Sequence, residues 1–366
     1  MGLFSDSVKT WRVSCWWRWK IPPLLGVALA QALLLGTAPA ELLQLYFLAA
    51  VFCVSSVAAF GYAINEWADG KSDELAQKPN SMAGLKLRSR AFSVLLPLLA
   101  GGGAALAGGF GPAANTVLAL EFFLVAAYSI SPLRLKERGV FGVMADALSS
   151  GFLPGLFIIL AFSRKAPDIP IRAVIFDVFL LTQLLAAGIK GILTHQDLDR
   201  ENDRAAGTIT FALSTGPATL RRILVKICYP AELFAITGMV ISIYPAAPLV
   251  LPVFILYSLM ELSKIGMNWR VAAGSGQVPY LPFYNNFFQE LAWPLTLAFS
   301  ASLVHPALSI LPIFQVIFFY KNIPAQTEEF LRLNSAYRNR LSEWMEARRR
   351  REIEAEDKKN RHWEKD

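Results

Sequence analysis

The sequence predicts an all-α fold: a polytopic membrane helical bundle of nine or ten transmembrane helices, with Asp-rich motif loops on the cytoplasmic side and a charged C-terminal helix. Three observations predict it. Hydrophobic residues make up 54% of the 366-residue chain and mean hydropathy is +0.41, outside the usual range of a soluble domain. Apolar runs of membrane-spanning length recur along the chain, a hydrocarbon core of about 30 Å taking roughly 20 helical residues to cross. Lysine and arginine also segregate to alternate loops.

The runs fall at approximately 21–38, 42–64, 92–110, 113–130, 141–162, 173–193, 223–244, 247–264, 286–304 and 307–320. They are apolar all round, which excludes barrel strands with alternating polarity. Basic residues precede Ile21 but no small-residue cleavage site follows the first run, so it reads as a retained anchor. The tenth run is short and carries Pro306 and Pro312, so a re-entrant or interfacial segment and a full crossing both stay open. Residues 1–20 form a cytoplasmic N-terminal segment, 21–322 the transmembrane domain and 323–366 a charged amphipathic cytoplasmic tail.

Basic residues set the orientation. With the N-terminus inside, the inner loops hold Lys9 to Lys20, Lys71 to Arg90, Arg134 to Arg138, Lys190 to Lys226, and Lys264 with Arg270; the outer loops hold Arg164, Lys165 and Arg172. The net charge of +7 therefore speaks to topology rather than to nucleic acid, and a multi-pass protein of the cell (inner) membrane is expected. Twelve of the 35 basic residues follow Tyr320, which favours an inside tail and an even number of crossings. In that tail Phe330, Leu333, Tyr337, Leu341, Trp344 and Met345 form a stripe at helical spacing, the pattern of a surface or partner-docking helix. Cys15, Cys53 and Cys228 have no spacing that implies a disulfide framework or a zinc site.

The chemistry collects at two helix ends. Asn65-Glu66-Trp67-Ala68-Asp69-Gly70-Lys71-Ser72-Asp73 ends the second run, with Asn65, Asp69 and Asp73 at four-residue steps on one helix face. His195-Gln196-Asp197-Leu198-Asp199-Arg200-Glu201-Asn202-Asp203-Arg204 ends the sixth, with the same steps linking His195, Asp199 and Asp203. One acidic cluster is ordinarily a solvated cap. Two of the same spacing on the same side are different, because four carboxylates brought together repel unless cations neutralise them. Oxygen ligands with few thiols or imidazoles select Mg²⁺, which prefers a few carboxylates plus substrate phosphate oxygens. The loop Tyr128-Ser129-Ile130-Ser131-Pro132-Leu133-Arg134-Leu135-Lys136 adds basic groups on that side, ordinary inside residues taken alone but placed to touch a diphosphate.

These motifs resemble the UbiA-type intramembrane prenyltransferases. Asn65, Asp69 and Asp73 match that family's first signature, and Asp199, Asp203, Arg204, Gly207 and Thr210 match its second. Tyr128, Ser129, Pro132, Leu133, Arg134 and Lys136 resemble the chlorophyll-synthase and homogentisate-transferase branch. Glu66 stands where Asp is usual, a chemically mild change; His195 stands where several relatives have Asn, and Lys78-Pro79 where Arg-Pro is frequent.

The resemblance implies that Asn65, Asp69, Asp73, Asp199 and Asp203 hold two Mg²⁺ on a polyprenyl diphosphate, the four aspartates being the catalytic set. It also implies substrate contacts from Asn65, Lys78, Tyr128, Arg134, Lys136, His195 and Arg204. The polyprenyl group would pass to an unidentified lipophilic or aromatic acceptor as diphosphate leaves. Phe60, Phe122, Phe123 and Trp293 could face the prenyl tail, although packing is the commoner role of such aromatics.

Three other readings compete. A polyprenyl-phosphate phosphoribosyltransferase of the same superfamily would carry similar motifs, as would a terpene-cyclising member. A divalent-cation transporter also places acids at membrane helices. Against transport, the motif acids lie at helix ends, and the Arg134 to Arg138 cluster opposes cations while welcoming diphosphate.

Overall fold

The computed structural model describes residues 3–363 apart from 37–44, 76, 165, 167, 206, 269, 274–275 and 280–287. In chain order come α1 (Leu3–Thr10), α2 (Val13–Leu35), α3 (Leu45–Leu75), α4 (Leu87–Gly108), α5 (Pro112–Ser129), α6 (Val140–Ser163) and α7 (Ile171–Leu198). The short helices α8 (Arg200–Ala205) and α9 (Phe211–Thr215) lead into α10 (Pro217–Ile243) and α11 (Val250–Gly266). A π turn, Phe288–Ala292, opens α12 (Trp293–Val304), followed by α13 (Ile310–Phe318) and the 42-residue α14 (Asn322–Trp363). All ten apolar runs lie on helices; the expected boundaries at 37–38, 42–44 and 286–287, and Lys165, fall outside the described residues.

Among the described residues, six helices are long and apolar enough to cross a bilayer: Phe47–Leu75, Leu87–Gly108, Pro112–Ser129, Val140–Ser163, Ile171–Leu198 and Pro217–Ile243. The rest fall short of that measure for visible reasons. The first third of α2 carries Arg18, Lys20 and three tryptophans, while α11, α12 and α13 have 17, 12 and 9 residues. One departure from an all-α chain lies after α11, where only a basic loop was expected. There β1 (Arg270–Ala273) pairs antiparallel with β2 (Gly276–Pro279).

The bundle packs α3 against α4 and α5, α7 against α6 and α10, and α2 against α6 and α12. In lipid, helices gain little from hydrophobic burial against each other, so close contact through small residues matters more. Gly188 of α7 shows this: a Cβ there would come within 2.8 Å of the Ala147 backbone of α6. Outward, large apolar side chains such as Leu99, Leu106, Phe123, Val178, Ile241 and Leu303 are exposed. Such a surface suits hydrocarbon and not water. This is a multi-pass integral membrane protein.

Several ends of the bundle meet on one face. Asn322 at the start of α14 donates from Nδ2 to the Arg18 carbonyl at 2.9 Å, and Phe319 stacks on Trp17 with centroids 5.7 Å apart. Arg12 pairs with Glu66 near the end of α3, Nη2 to Oε1, at 2.5 Å. Along α14, Leu333 is buried while Phe330, Tyr337, Leu341, Trp344 and Met345 are exposed.

Candidate functional site

A cavity of about 410 Å³ opens on the face where the two Asp-rich helix ends meet. From α3 a stripe at three- and four-residue steps lines it: Val54, Val57, Ala58, Gly61, Asn65, Asp69, Ser72 and Asp73. From α7 come Ile192, His195 and Gln196, with Asp199 just past its end and Asp203 on α8. The helical period expected from sequence holds along α3, whereas the second motif is split at Asp199 between α7 and α8, and both line one space.

The loop between α5 and α6 closes the mouth. A short 3₁₀ turn at Leu135–Glu137 lies close enough to α6 that a Cβ on Gly142 would sit 2.6 Å from the Leu135 carbonyl oxygen. Arg134 precedes that turn with φ 35°, a left-handed conformation that costs a non-glycine residue roughly 1–2 kcal/mol. Its guanidinium is held on three sides: Nη2 to Asp69 Oδ1 at 3.2 Å, Nε to Glu137 Oε1 at 2.5 Å and Nη1 to the Ser129 carbonyl at 3.4 Å. Lys136 Nζ donates to Asp69 Oδ1 and, at 3.1 Å, to Asn65 Oδ1, which also accepts from Ser129 Oγ at 3.0 Å. Asp69 is therefore matched by two cations.

The segment after α3 folds back onto it. Asn80 Nδ2 donates to Asp73 Oδ2 and to the Glu66 carbonyl, both at 2.8 Å, and the Lys78 backbone N–H donates to the Asp73 carbonyl at 2.8 Å. This fold-back brings Lys78 into the cavity wall. Glu66, read from sequence as a mild replacement for an aspartate, is 5% exposed and does not line the cavity. Its Oε2 accepts from Ser81 N at 2.5 Å and Ser81 Oγ at 2.9 Å, while Oε1 holds Arg12. Its role is that of a brace.

On the second motif, His195 Nε2 stands 3.6 Å from Asp199 Oδ2, an ion pair when the imidazole is protonated. Gln196 Oε1 accepts from the Ala212 backbone N–H at 3.2 Å, and the Thr208 N–H donates to the Asp203 carbonyl at 2.9 Å. Burial raises the Asp203 carboxyl and the charge of Asp199 adds to this, while Lys78 opposes it. Burial lowers the Lys136 ammonium below its ordinary value, with Asp69 partly restoring it. For Arg134, burial also pulls downward, but Glu137 and Asp69 outweigh it and the guanidinium ends higher.

Of the residues singled out in the sequence, Asn65, Asp69, Asp73, Lys78, Tyr128, Arg134, Lys136, His195, Asp199 and Asp203 line this one cavity. Arg204 does not; it is exposed on α8. Phe60 and Phe122 pack edge to face 5.3 Å apart, Trp293 stacks with Phe176, and Phe123 is exposed, so none of the four aromatics considered for the prenyl tail is in the wall. Sequence reasoning missed Lys20, Tyr62, Glu121 and Asp146, which also line it, and Ser149 and Ser150 on a π turn within α6. For Glu121 and Asp146 a signal existed, namely ionisable residues inside apolar runs.

The donor set fits Mg²⁺ in kind. Asn65, Asp69, Asp73, Asp199 and Asp203 all offer oxygen, and no cysteine lines the cavity. Among the described residues no three His, Cys, Asp or Glu side chains are grouped to hold an ion by themselves.

Two acidic motifs flanked by cations at the mouth of a cavity in a helical membrane bundle are the features of an intramembrane transferase. The chain belongs to the UbiA prenyltransferase family, whose profile matches residues 21–272. It is 27% identical over 225 residues, 60% of this chain and 70% of the relative, to the bacteriochlorophyll synthase 33 kDa chain of Cereibacter sphaeroides. The fold is similar to that of a UbiA homologue from Archaeoglobus fulgidus in two solved structures, one bound to GPP and Mg²⁺ and one to DMAPP and Mg²⁺. Identity is 16% in both, the TM-scores are 0.56 and 0.57, and 83% and 84% of this chain is covered against 99% and 100% of theirs.

Proposed function

We propose that the protein is a Mg²⁺-dependent prenyltransferase that moves a polyprenyl group from an isoprenoid diphosphate to a lipophilic or aromatic acceptor, releasing diphosphate. The observation that carries this reading is the convergence of both Asp-rich motifs, Lys78, Arg134 and Lys136 on one cavity whose deeper wall includes Ile21, Leu24, Val54 and Val57. A charged head at the aqueous mouth and an apolar tail below is the division such a donor requires, each buried CH₂ contributing about 0.8 kcal/mol. The archaeal homologue's GPP, DMAPP and Mg²⁺ support it.

Charge favours the same ligand. Asp69, Asp73, Asp199 and Asp203 supply four negative charges and Lys78, Arg134 and Lys136 three positive ones. A diphosphate of about −3 with two Mg²⁺ brings the set close to neutrality. The four aspartates with Asn65 would hold the metal, which when bound stabilises the leaving diphosphate as a Lewis acid. Lys136 and Arg134 orient the head from the loop side, and Lys78 from the fold-back after α3. Tyr128 and His195 stand beside them, so these residues form the substrate-binding set, with residues 21–322 as the catalytic unit.

The motif face reads as cytoplasmic and the membrane as the cell (inner) membrane, from the basic residues. An even number of crossings is favoured, because Asn322, which follows the last apolar helix, bonds the Arg18 carbonyl in the first third of α2. The experiment that separates this function from phosphoribosyl transfer supplies isotopically labelled prenyl diphosphate or labelled phosphoribosyl diphosphate to membranes holding the protein. Label entering the lipid product from the prenyl donor is expected; entry from the phosphoribosyl donor alone overturns the reading.

A further inference from the structure

One buried acid has no place in the diphosphate site. Glu121 on α5 is 1% exposed, lines the cavity, and its Oε2 has no hydrogen-bond partner. A buried polar atom left unpaired costs about 1–3 kcal/mol, and ionisable residues at membrane depth commonly mark a function. Its neighbours do not relieve it. Cys53, close enough to feel the Glu121 charge, donates its Sγ–H to the Gly101 carbonyl at 3.5 Å. Lys20, also in the cavity wall, is the cation whose field reaches both Glu121 and Asp146.

The depth of Glu121 is informative. Ser129, bonded to Asn65, marks the level of the first motif, and Glu121 lies eight residues earlier on the same helix. At about 1.5 Å per residue that is roughly 12 Å along the helix from the motif end. Two hydrogen-bond lengths of about 3 Å each leave roughly 6 Å for the ester end of a prenyl diphosphate anchored above. An acceptor group resting on Glu121 would then lie next to the allylic carbon.

We infer that Glu121 docks the hydroxyl group of an uncharged, hydroxyl-bearing acceptor and takes its proton during transfer. This rests on the prenyltransferase reading above. A hydroxyl both donates and accepts, so it satisfies Oε2 whether the carboxyl is ionised or protonated; a carboxylate acceptor can only accept, and would meet two acids, Glu121 and Asp146, against one lysine. In the step, the allylic C–O bond of the donor breaks with its electron pair leaving on diphosphate. The acceptor oxygen forms the new C–O bond, and its proton passes to the Glu121 carboxylate. The motif aspartates, which would be engaged with metal and diphosphate, would not be available for that proton.

The test uses the full-length protein in nanodiscs with two probes, a para-alkylphenol and the alkylbenzene of the same chain length. Wild type should bind the phenol about tenfold more tightly than the benzene. Glu121→Leu should reduce the difference to within about twofold, and Glu121→Gln, which still hydrogen-bonds, should keep most of it. With geranyl diphosphate and Mg²⁺, wild type should form the geranyl ether of the phenol, and Glu121→Gln should lose about a hundredfold in rate. Equal binding of the two probes by wild type overturns the docking site, a comparison that stands even if the leucine variant does not fold. Absence of ether from wild type, or a wild-type rate in Glu121→Gln, overturns the proton step. Geranyl diphosphate binding is measured separately: its failure sinks the prenyltransferase reading while leaving the phenol preference intact.

Discussion

Replacing Lys136 with alanine separates two effects that its position combines. Its Nζ holds Asp69 Oδ1 and, at 3.1 Å, Asn65 Oδ1, and the Lys136 and Asp69 side chains are each 13% exposed. Without ligand the ammonium occupies a carboxylate that the proposed metal needs. With ligand it is, with Arg134 and Lys78, one of the cations proposed to face the diphosphate. Lys136→Ala should therefore bind Mg²⁺ alone more tightly, yet bind a prenyl diphosphate at saturating Mg²⁺ more weakly. A charge-assisted contact to phosphate contributes about 1.5–3 kcal/mol, or roughly ten- to a hundredfold in Kd. Folding should survive, because Arg134 Nη2 remains 3.2 Å from Asp69 Oδ1 and leaves no bare buried charge. Titration calorimetry of the purified protein with Mg²⁺, then geranyl diphosphate, then geraniol, reads each effect; geraniol, lacking charge, should be nearly indifferent. Losses of equal size for diphosphate and alcohol, or Mg²⁺ affinity falling together with diphosphate affinity, would refute the reasoning.

Three further outcomes are expected. Asp69→Asn and Asp199→Asn should abolish turnover while leaving insertion and elution volume unchanged; residual activity in double-digit percentages would remove these residues from the metal set. Glu66→Ala should lower stability by about 2 kcal/mol and weaken diphosphate binding by loosening the segment that carries Lys78, because a carboxylate braced by Ser81 and Arg12 is lost. Unaltered thermal unfolding combined with lost Mg²⁺ binding would make Glu66 a metal ligand instead. Probe cysteines at Ser72, Asn202 and Asn334 should all resist an impermeant reagent applied outside intact cells, and labelling at Asn334 alone would restore nine crossings.

Much of this protein was legible in one dimension. The apolar runs, the basic asymmetry and the four-residue spacing of Asn65, Asp69 and Asp73 are local properties of the chain, so they survive folding unchanged. What could not be read was which partner each polar group takes. Glu66 and Asp69 are three residues apart and of like charge, yet one braces Ser81 and Arg12 outside the cavity and the other faces Lys136 within it. Arg204 and Lys78 both sit near a motif, and only the fold-back through Asn80 brings Lys78 inward.

The sequence by itself determined that the chain lives in lipid, which helix ends carry the acids, and the residue types that select a hard cation. Those follow from hydropathy, period and ligand chemistry, all set by neighbours in the chain. Tertiary structure alone decided that α3 and α7 aim both motifs at one cavity, that Lys136 closes on Asp69, and that Glu121 and Asp146 line that cavity rather than packing between helices. The reason is geometric. Side chains from helices more than a hundred residues apart meet only through rotation and close approach of the helices, which small contacts such as Gly188 on Ala147 fix and no local pattern encodes.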